Sequence, residues 1–258
     1  MRTPSALSDN PLTFIRKALS RSTYTLRTGY WHTGERCCPD FPDENFVNHL
    51  KVYQFASQFC GAKKILDVGC GTGYGTAFLA ESGLSAVGID LSRQAIRYAQ
   101  RRYKSFNLEF LRMSAESLEF PDRAFDFVLS TENFEHLRDQ RGNIRQMSRV
   151  LTEEGMLLLA TPNPEMFVRV NNRYHTHEFA YSELVEILQE HFGEYLVCEN
   201  QLAPTTEEGQ RTRTEREEKG AMGINLSLDP SLWGTRVDTT YLSNTHSFFC
   251  FARKPKRQ

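Results

Sequence analysis

Four glycines at alternate positions, Gly69, Gly71, Gly73 and Gly75, follow the apolar run Ile65, Leu66 and Val68 in a chain of 258 residues. A β-type run that enters a glycine turn, with a helix-compatible segment over 76–81 behind it, brings bare backbone against a bound ligand. The spacing narrows the choice of ligand. A dinucleotide fingerprint has glycines at its first, third and sixth positions, and the sixth position counted from Gly69 is Tyr74. No Gly-Lys-Ser/Thr follows, as a phosphate-binding loop requires. An acid then ends the next apolar run: Ser85 to Ile89 is followed by Asp90, 21 residues beyond Gly69. At the end of the second strand of an α/β unit, an acid accepts hydrogen bonds from both ribose hydroxyls of an adenosine. Glycines and acid together imply an adenosyl ligand without a pyrophosphate.

A second group of chemistry-bearing residues comes later. The stretch Phe125-Asp-Phe-Val-Leu-Ser130 reads as a strand, and Glu132, Asn133, Glu135 and His136 stand in the loop after it. A histidine titrates near neutrality and suits removal of a proton from an oxygen acceptor; the competing reading is a histidine that orients its own loop. Tyr174-His-Thr-His-Glu178 offers His175 and His177 with an acid, a spacing that fits a metal or, more simply, loop structure near the pocket. Asp67 lies in the strand ahead of the glycines, where a buried acid needs partners; turn amides or the ligand itself are the expected ones.

The elements that position these groups read as alternating strands and helices. A helix is expected over 44–59. Ser92 is placed to cap a helix reaching Tyr103 with Ala95, Ile96 and Ala99 inward. Strands are expected at Leu108 to Leu111, Phe125 to Leu129 and Met156 to Ala160, the last a continuous apolar run as in a buried parallel strand. Ile144, Met147 and Leu151 mark a helix between the last two. Ser182 is expected to cap an amphipathic helix whose inner face carries Leu184, Ile187, Leu188, His191 and Phe192. Tyr195 to Cys198 and Ser247 to Ala252 complete the strands. The alternation calls for an α/β fold with a doubly wound, mostly parallel sheet.

Composition excludes other classes. Lys plus Arg number 31 and Asp plus Glu 32, a formal charge of −1, so no basic excess favours nucleic acid. The sequence has no apolar run long enough for a transmembrane helix and no apolar stretch of signal-peptide length at its N-terminus. The six cysteines show neither metal-site nor disulfide-framework spacing, as expected of reduced thiols in a cytoplasmic protein. Residues 205–220 are apolar-free and charge-alternating, and read as a solvated loop, with a lid over substrate as the alternative.

Asp67-Val-Gly-Cys-Gly-Thr-Gly73 resembles motif I of class I S-adenosylmethionine-dependent methyltransferases, and Gly88-Ile-Asp90 their ribose-binding acid. Phe125 to Ser130 with Glu132 to His136 is similar to their fourth strand and its loop, and Arg149 to Gly155 to the approach to strand five. The matches fall in family order between about residues 48 and 161. This resemblance implies a Rossmann-like seven-stranded sheet in the order 3-2-1-4-5-7-6, with strand seven antiparallel. It implies a cofactor, S-adenosyl-L-methionine, held by Asp67, Gly69, Gly71, Gly73, Asp90, Leu91, Ser114, Ala115 and Glu116. Ser114 departs from the family's usual acid at the adenine and supplies a neutral acceptor, weaker than a charged one; backbone groups of Ala115 are expected to carry more of that contact, with Met113 against the ring.

The segment 28–36 resembles the N-terminal lid of sugar-cluster methyltransferases, which makes Arg36 the candidate partner of the cofactor carboxylate and Tyr30 and Trp31 candidates for closing the lid. The implied domains are a capping segment at 1–45 and a methyltransferase domain at 46–258 with a substrate-side insert near 203–242. The implied reaction moves a methyl group to a small-molecule acceptor, an oxygen of a sugar or glycolipid, with His136 and Glu135 as the catalytic pair and no metal. The alternative is a non-catalytic S-adenosylmethionine-binding protein with a regulatory role. Neither nucleic acid nor an integral membrane segment is expected.

Overall fold

In the computed structural model, the described residues are 37–42, 44–164, 172–199 and 247–256. Expectations for the lid, including Arg36, Tyr30 and Trp31, and for the insert near 203–242 lie outside them. The described elements run α1 (Glu44–Ser57), β1 (Lys64–Val68), α2 (Tyr74–Ala80), β2 (Ser85–Asp90), α3 (Arg93–Arg102), β3 (Leu108–Arg112), β4 (Phe125–Thr131), a 3-10 turn (Phe134–His136), α4 (Gln140–Val150), β5 (Leu151–Pro162), α5 (Tyr181–His191), β6 (Phe192–Glu199) and β7 (Ser247–Pro255). The seven strands form one sheet in the order β3-β2-β1-β4-β5-β7-β6. The first five pair in parallel, and β7 runs antiparallel to both β5 and β6. The fold is thus the Rossmann-like sheet with the reversed last strand.

Strand alternation builds a core on each side of the sheet. Leu66, Val68, Val128, Leu157 and Leu159 meet Ile144 and Met147 of α4 and Leu184, Ile187 and Leu188 of α5. Their neighbours Ile65, Phe127, Leu129, Met156 and Leu158 point the other way, onto Phe55, Ala56 and Phe59 of the α1 region and Leu79 of α2. Each buried aliphatic or aromatic side chain contributes about 1.5–3 kcal/mol. Ser92 caps α3, its Oγ accepting from the Ala95 amide. Residues 37–41 lie against α3: Cys38 Sγ is 3.9 Å from Tyr98 Oη, and Tyr98 donates to Asp40.

Three local expectations are corrected. Leu151 is not the last turn of α4; its backbone is extended and it pairs with Phe125, so β5 begins there, five residues before the apolar run that marked it. Phe192 packs into the same core as α5's inner face, but it opens β6 in an extended conformation. Ser182 lies inside the first turn of α5. The cap comes from Glu183, whose Oε2 accepts from the Ala180 amide at 2.8 Å, half of a capping box.

One close approach ties α1 to the glycine turn. A Cβ on Gly75 would lie 2.0 Å from the Tyr53 ring, so the helix meets α1 at a residue without a side chain. Gly75→Ala must therefore push Tyr53 aside. The expected cost is about 1–3 kcal/mol for overpacking, read as a lower urea midpoint with an unchanged denaturant slope.

Candidate functional site

The strand order places the carboxyl ends of β1, β2 and β4 side by side, and ligands of open α/β sheets bind there. A cavity of about 530 Å³ opens at that edge. On the β2/β3 side it is lined by Asp90, Leu91, Met113, Ser114, Ala115 and Glu116; on the β4 side by Thr131, Glu132, Asn133, His136 and Tyr174. Gly69 and Gly71 form the lip between. Of the sequence candidates, Asp67, Gly73 and Glu135 are not among the lining residues; they lie behind the wall.

The lip owes its shape to left-handed backbone at Gly69, Gly71 and Gly73, with φ of 82°, 55° and 80°, a region other residues enter at a cost of roughly 1–2 kcal/mol. At Gly71 an added Cβ would meet nothing within 4 Å, so the requirement there is conformational; at Gly69 it would strike Asn133 at 2.4 Å. Gly69 and Cys70 donate to the Ile89 carbonyl, both at 2.9 Å, which locks the turn to the end of β2.

Asp90 stands where this lock ends. Its Oδ2 accepts from the Gly71 amide at 3.0 Å and its Oδ1 from the Ser92 amide at 2.7 Å. These two amides orient the Asp90 carboxylate at the cavity wall. Beneath it, Asp67 is fully buried. Its partners are side-chain hydroxyls, not the turn amides expected: Thr76 Oγ1 donates to Oδ2 at 2.6 Å, and Tyr53 Oη lies 3.3 and 3.2 Å from the two oxygens. Burial pushes the Asp67 carboxyl up to about 7. Tyr53 and Thr76 carry no motif signature; only the bare Gly75 opposite an aromatic helix hinted at the contact.

On the β3 side of the cavity, Ser114 Oγ accepts from the Glu116 amide at 3.2 Å. Glu116 Oε1 accepts from the amides of Arg138 and Asp139 at 2.7 and 2.9 Å, pinning the loop after the 3-10 turn. The Ala115 carbonyl accepts from Asn143 Nδ2 at 2.7 Å.

The β4 side holds the titratable cluster. His136 Nδ1 is 3.0 Å from the Tyr174 carbonyl oxygen, which can only accept, so the ring carries its hydrogen on Nδ1. Its Nε2 faces Glu135 Oε1 at 3.7 Å. Glu135 is 1% exposed and accepts from Thr161 Oγ1 at 3.1 Å through Oε2. Burial, then the neighbouring Glu132, pushes the Glu135 carboxyl well above its usual range, and burial takes Glu132 up to about 7. Glu132 has a left-handed φ of 46° and accepts from Ser247 Oγ at 2.6 Å. His175 is brought to this cluster, its ring centroid 4.9 Å from that of His136; His177 is not, and pairs with Glu183 at 3.1 Å. The hydroxyl of Thr131, on the cavity wall, is buried without a protein hydrogen-bond partner, which fits a polar ligand atom.

Residues 66–159 match the methyltransferase domain family, and the sheet order is the one that the resemblance to class I S-adenosylmethionine-dependent methyltransferases implies. The chain is 34% identical over 162 residues to a probable S-adenosylmethionine-dependent methyltransferase of Mycobacterium tuberculosis, an alignment covering 60% of this chain and 58% of that protein. It is 36% identical over 105 residues to a fatty-acid O-methyltransferase of Mycolicibacterium smegmatis, covering 40% and 38% of the two chains. An S-adenosylmethionine-dependent methyltransferase from Archaeoglobus fulgidus shares the fold with a TM-score of 0.56 at 17% identity, over 81% of this chain and 94% of that one. The chain thus spans little more than half the length of the mycobacterial relative. Among the described residues, no helix is long and apolar enough to cross a membrane.

The raised Asp67 carboxyl makes stability depend on pH with a definite sign. Folding favours its protonated form, so its contribution is fully present below the ordinary value of 3.8 and is lost as pH rises through about 7. Asp67→Asn removes this dependence. The wild type should lose stability relative to the variant across that window, measured as the difference in denaturant midpoints at successive pH values.

Proposed function

We propose that the protein transfers the methyl group of S-adenosylmethionine to an oxygen of a small-molecule acceptor, a sugar, glycolipid or other lipid. The observation that carries this is the shared cavity: Asp90, oriented by two backbone amides, and His136 line the same space across the glycine lip. The bound cofactor supplies a sulfonium already activated for displacement, so the protein's share is to position the two partners and exclude water.

Asp90 takes the ribose hydroxyls. Ser114, Ala115, Leu91 and Met113 bound the adenine, and the Thr131 hydroxyl meets a polar atom between the two ends. Asp67 and Gly73 act from behind by holding the lip, and Glu116, in the wall, holds the loop after the 3-10 turn. His136 acts on the acceptor: with its hydrogen on Nδ1, the lone pair sits on Nε2, where it can take up the acceptor's proton. Cys37, at the start of the described residues, lines the cavity, and its carbonyl accepts from Thr72 Oγ1 at 2.9 Å. The fatty-acid O-methyltransferase relative supports an oxygen acceptor on a lipid.

Labelled S-adenosylmethionine offered with glycan, glycolipid and fatty-acid acceptors should place label on oxygen; label found only on amines or aromatic carbons would sink the assignment. Asp90→Ala should weaken cofactor binding in a calorimetric titration by about 2 kcal/mol, as lost charge-assisted hydrogen bonds do. His136→Gln should keep cofactor affinity and slow transfer by about 10²–10⁴-fold, the usual worth of a general base.

A further inference from the structure

The structure brings together a ligand set outside the methyl-transfer reading. We infer that Glu135, His136 and His175 form a binding site for a divalent first-row transition metal ion, of the zinc, cobalt or manganese type. One ligating atom from each of the three lies within 4.8 Å of the others. They come from separate segments, the 3-10 turn after β4 and the stretch ahead of α5, so the fold and not local sequence assembles them.

Each ligand is held from behind, as metal ligands are. His136 keeps its ring oriented through Nδ1 and the Tyr174 carbonyl oxygen at 3.0 Å. Glu135 has its second oxygen on Thr161 Oγ1 at 3.1 Å. His175 is clamped through both nitrogens, by Glu178 Oε1 at 2.5 Å and Asn172 Nδ2 at 2.9 Å. One of those contacts gives way to the ion and the other continues to fix the ring. A contact with Glu178 is the carboxylate–histidine arrangement that sharpens imidazole as a ligand.

The chemistry of the ligand set points the same way. Two imidazoles with one carboxylate suit a borderline metal and not magnesium or calcium, which take oxygen sets. His136 is 34% exposed and reaches the cavity wall, so the ion would have open positions toward the acceptor end. An oxygen bound there loses its proton more easily. In the loaded form, that effect would stand in for the base that His136 supplies in the metal-free form.

The test is binding itself and does not depend on methyl transfer. Chelator-treated full-length protein is titrated with cobalt(II), followed by visible ligand-field absorption, and with zinc(II) by calorimetry. A single equivalent of each is expected. His175→Ala should lower affinity by more than about tenfold and Glu178→Gln, which removes only the outer partner, by about 10–100-fold. His177→Ala, in the same segment but turned to Glu183, should leave affinity unchanged, with circular dichroism confirming that all three variants fold. Failure of both ions to bind, equal binding by wild type and His175→Ala, or cobalt–thiolate charge-transfer absorption placing the ion on cysteine would each overturn the site. Retained methyl transfer alongside any of these results would leave the methyltransferase reading standing.

Discussion

A carboxylate sealed beneath the glycine turn governs the site. Asp67 is surrounded by core, and a buried carboxyl is tolerable only with hydrogen-bond partners. Its partners come from two helices: Tyr53 from α1 and Thr76 from α2. Satisfying one acid therefore fixes the position of α1, the start of α2 and the end of β1 relative to each other. The lip that bounds the cavity is the chain between β1 and α2, so it inherits that position. The bare backbone at Gly75 follows from the same contact, because Tyr53 reaches Asp67 across it.

The cavity is unusual in how its acids are distributed. Asp90 is oriented by backbone amides, whereas on the opposite side Glu132, in the wall, and Glu135, behind it, have carboxyls pushed above their usual range by burial. The first arrangement stabilises a fixed anion; the second holds protons that a nearby cation would release. A cationic ligand between them gains from both. Glu132 also sits in a left-handed backbone conformation between the end of β4 and the 3-10 turn, the type of local strain that folded structures retain where the surrounding contacts demand it.

Much of this was legible in the sequence. The strand–glycine–helix unit and the acid at the end of β2 were readable because each rests on a local pattern, alternate glycines and an apolar run closed by an acid; the reversed final strand came only with the family resemblance. Contacts made across the fold were harder to see. Tyr53 and Thr76 looked like ordinary helix residues, and nothing in their spacing betrays a shared partner. Among the histidines, spacing paired His175 with His177, while the fold pairs His175 with His136 and turns His177 toward α5. Boundaries failed where one apolar residue served two elements: Leu151 and Phe192 continue a helical face by side-chain burial, yet their backbones have already become strands.

The place of β7 has a consequence for how the chain is made. β7 lies between β5 and β6 in space but comes after both in sequence, and β6 pairs with nothing else described. As the polypeptide leaves the ribosome, β1 to β5 can assemble in turn, but the outer edge of β5, with its buried run from Leu157 to Ala160, has no neighbour until residues 247–255 emerge. At about 5–20 residues per second that open, apolar edge persists for several seconds, and an unpaired edge is a template for pairing with the wrong strand. Shielding this edge is a demand of synthesis that the finished sheet no longer shows.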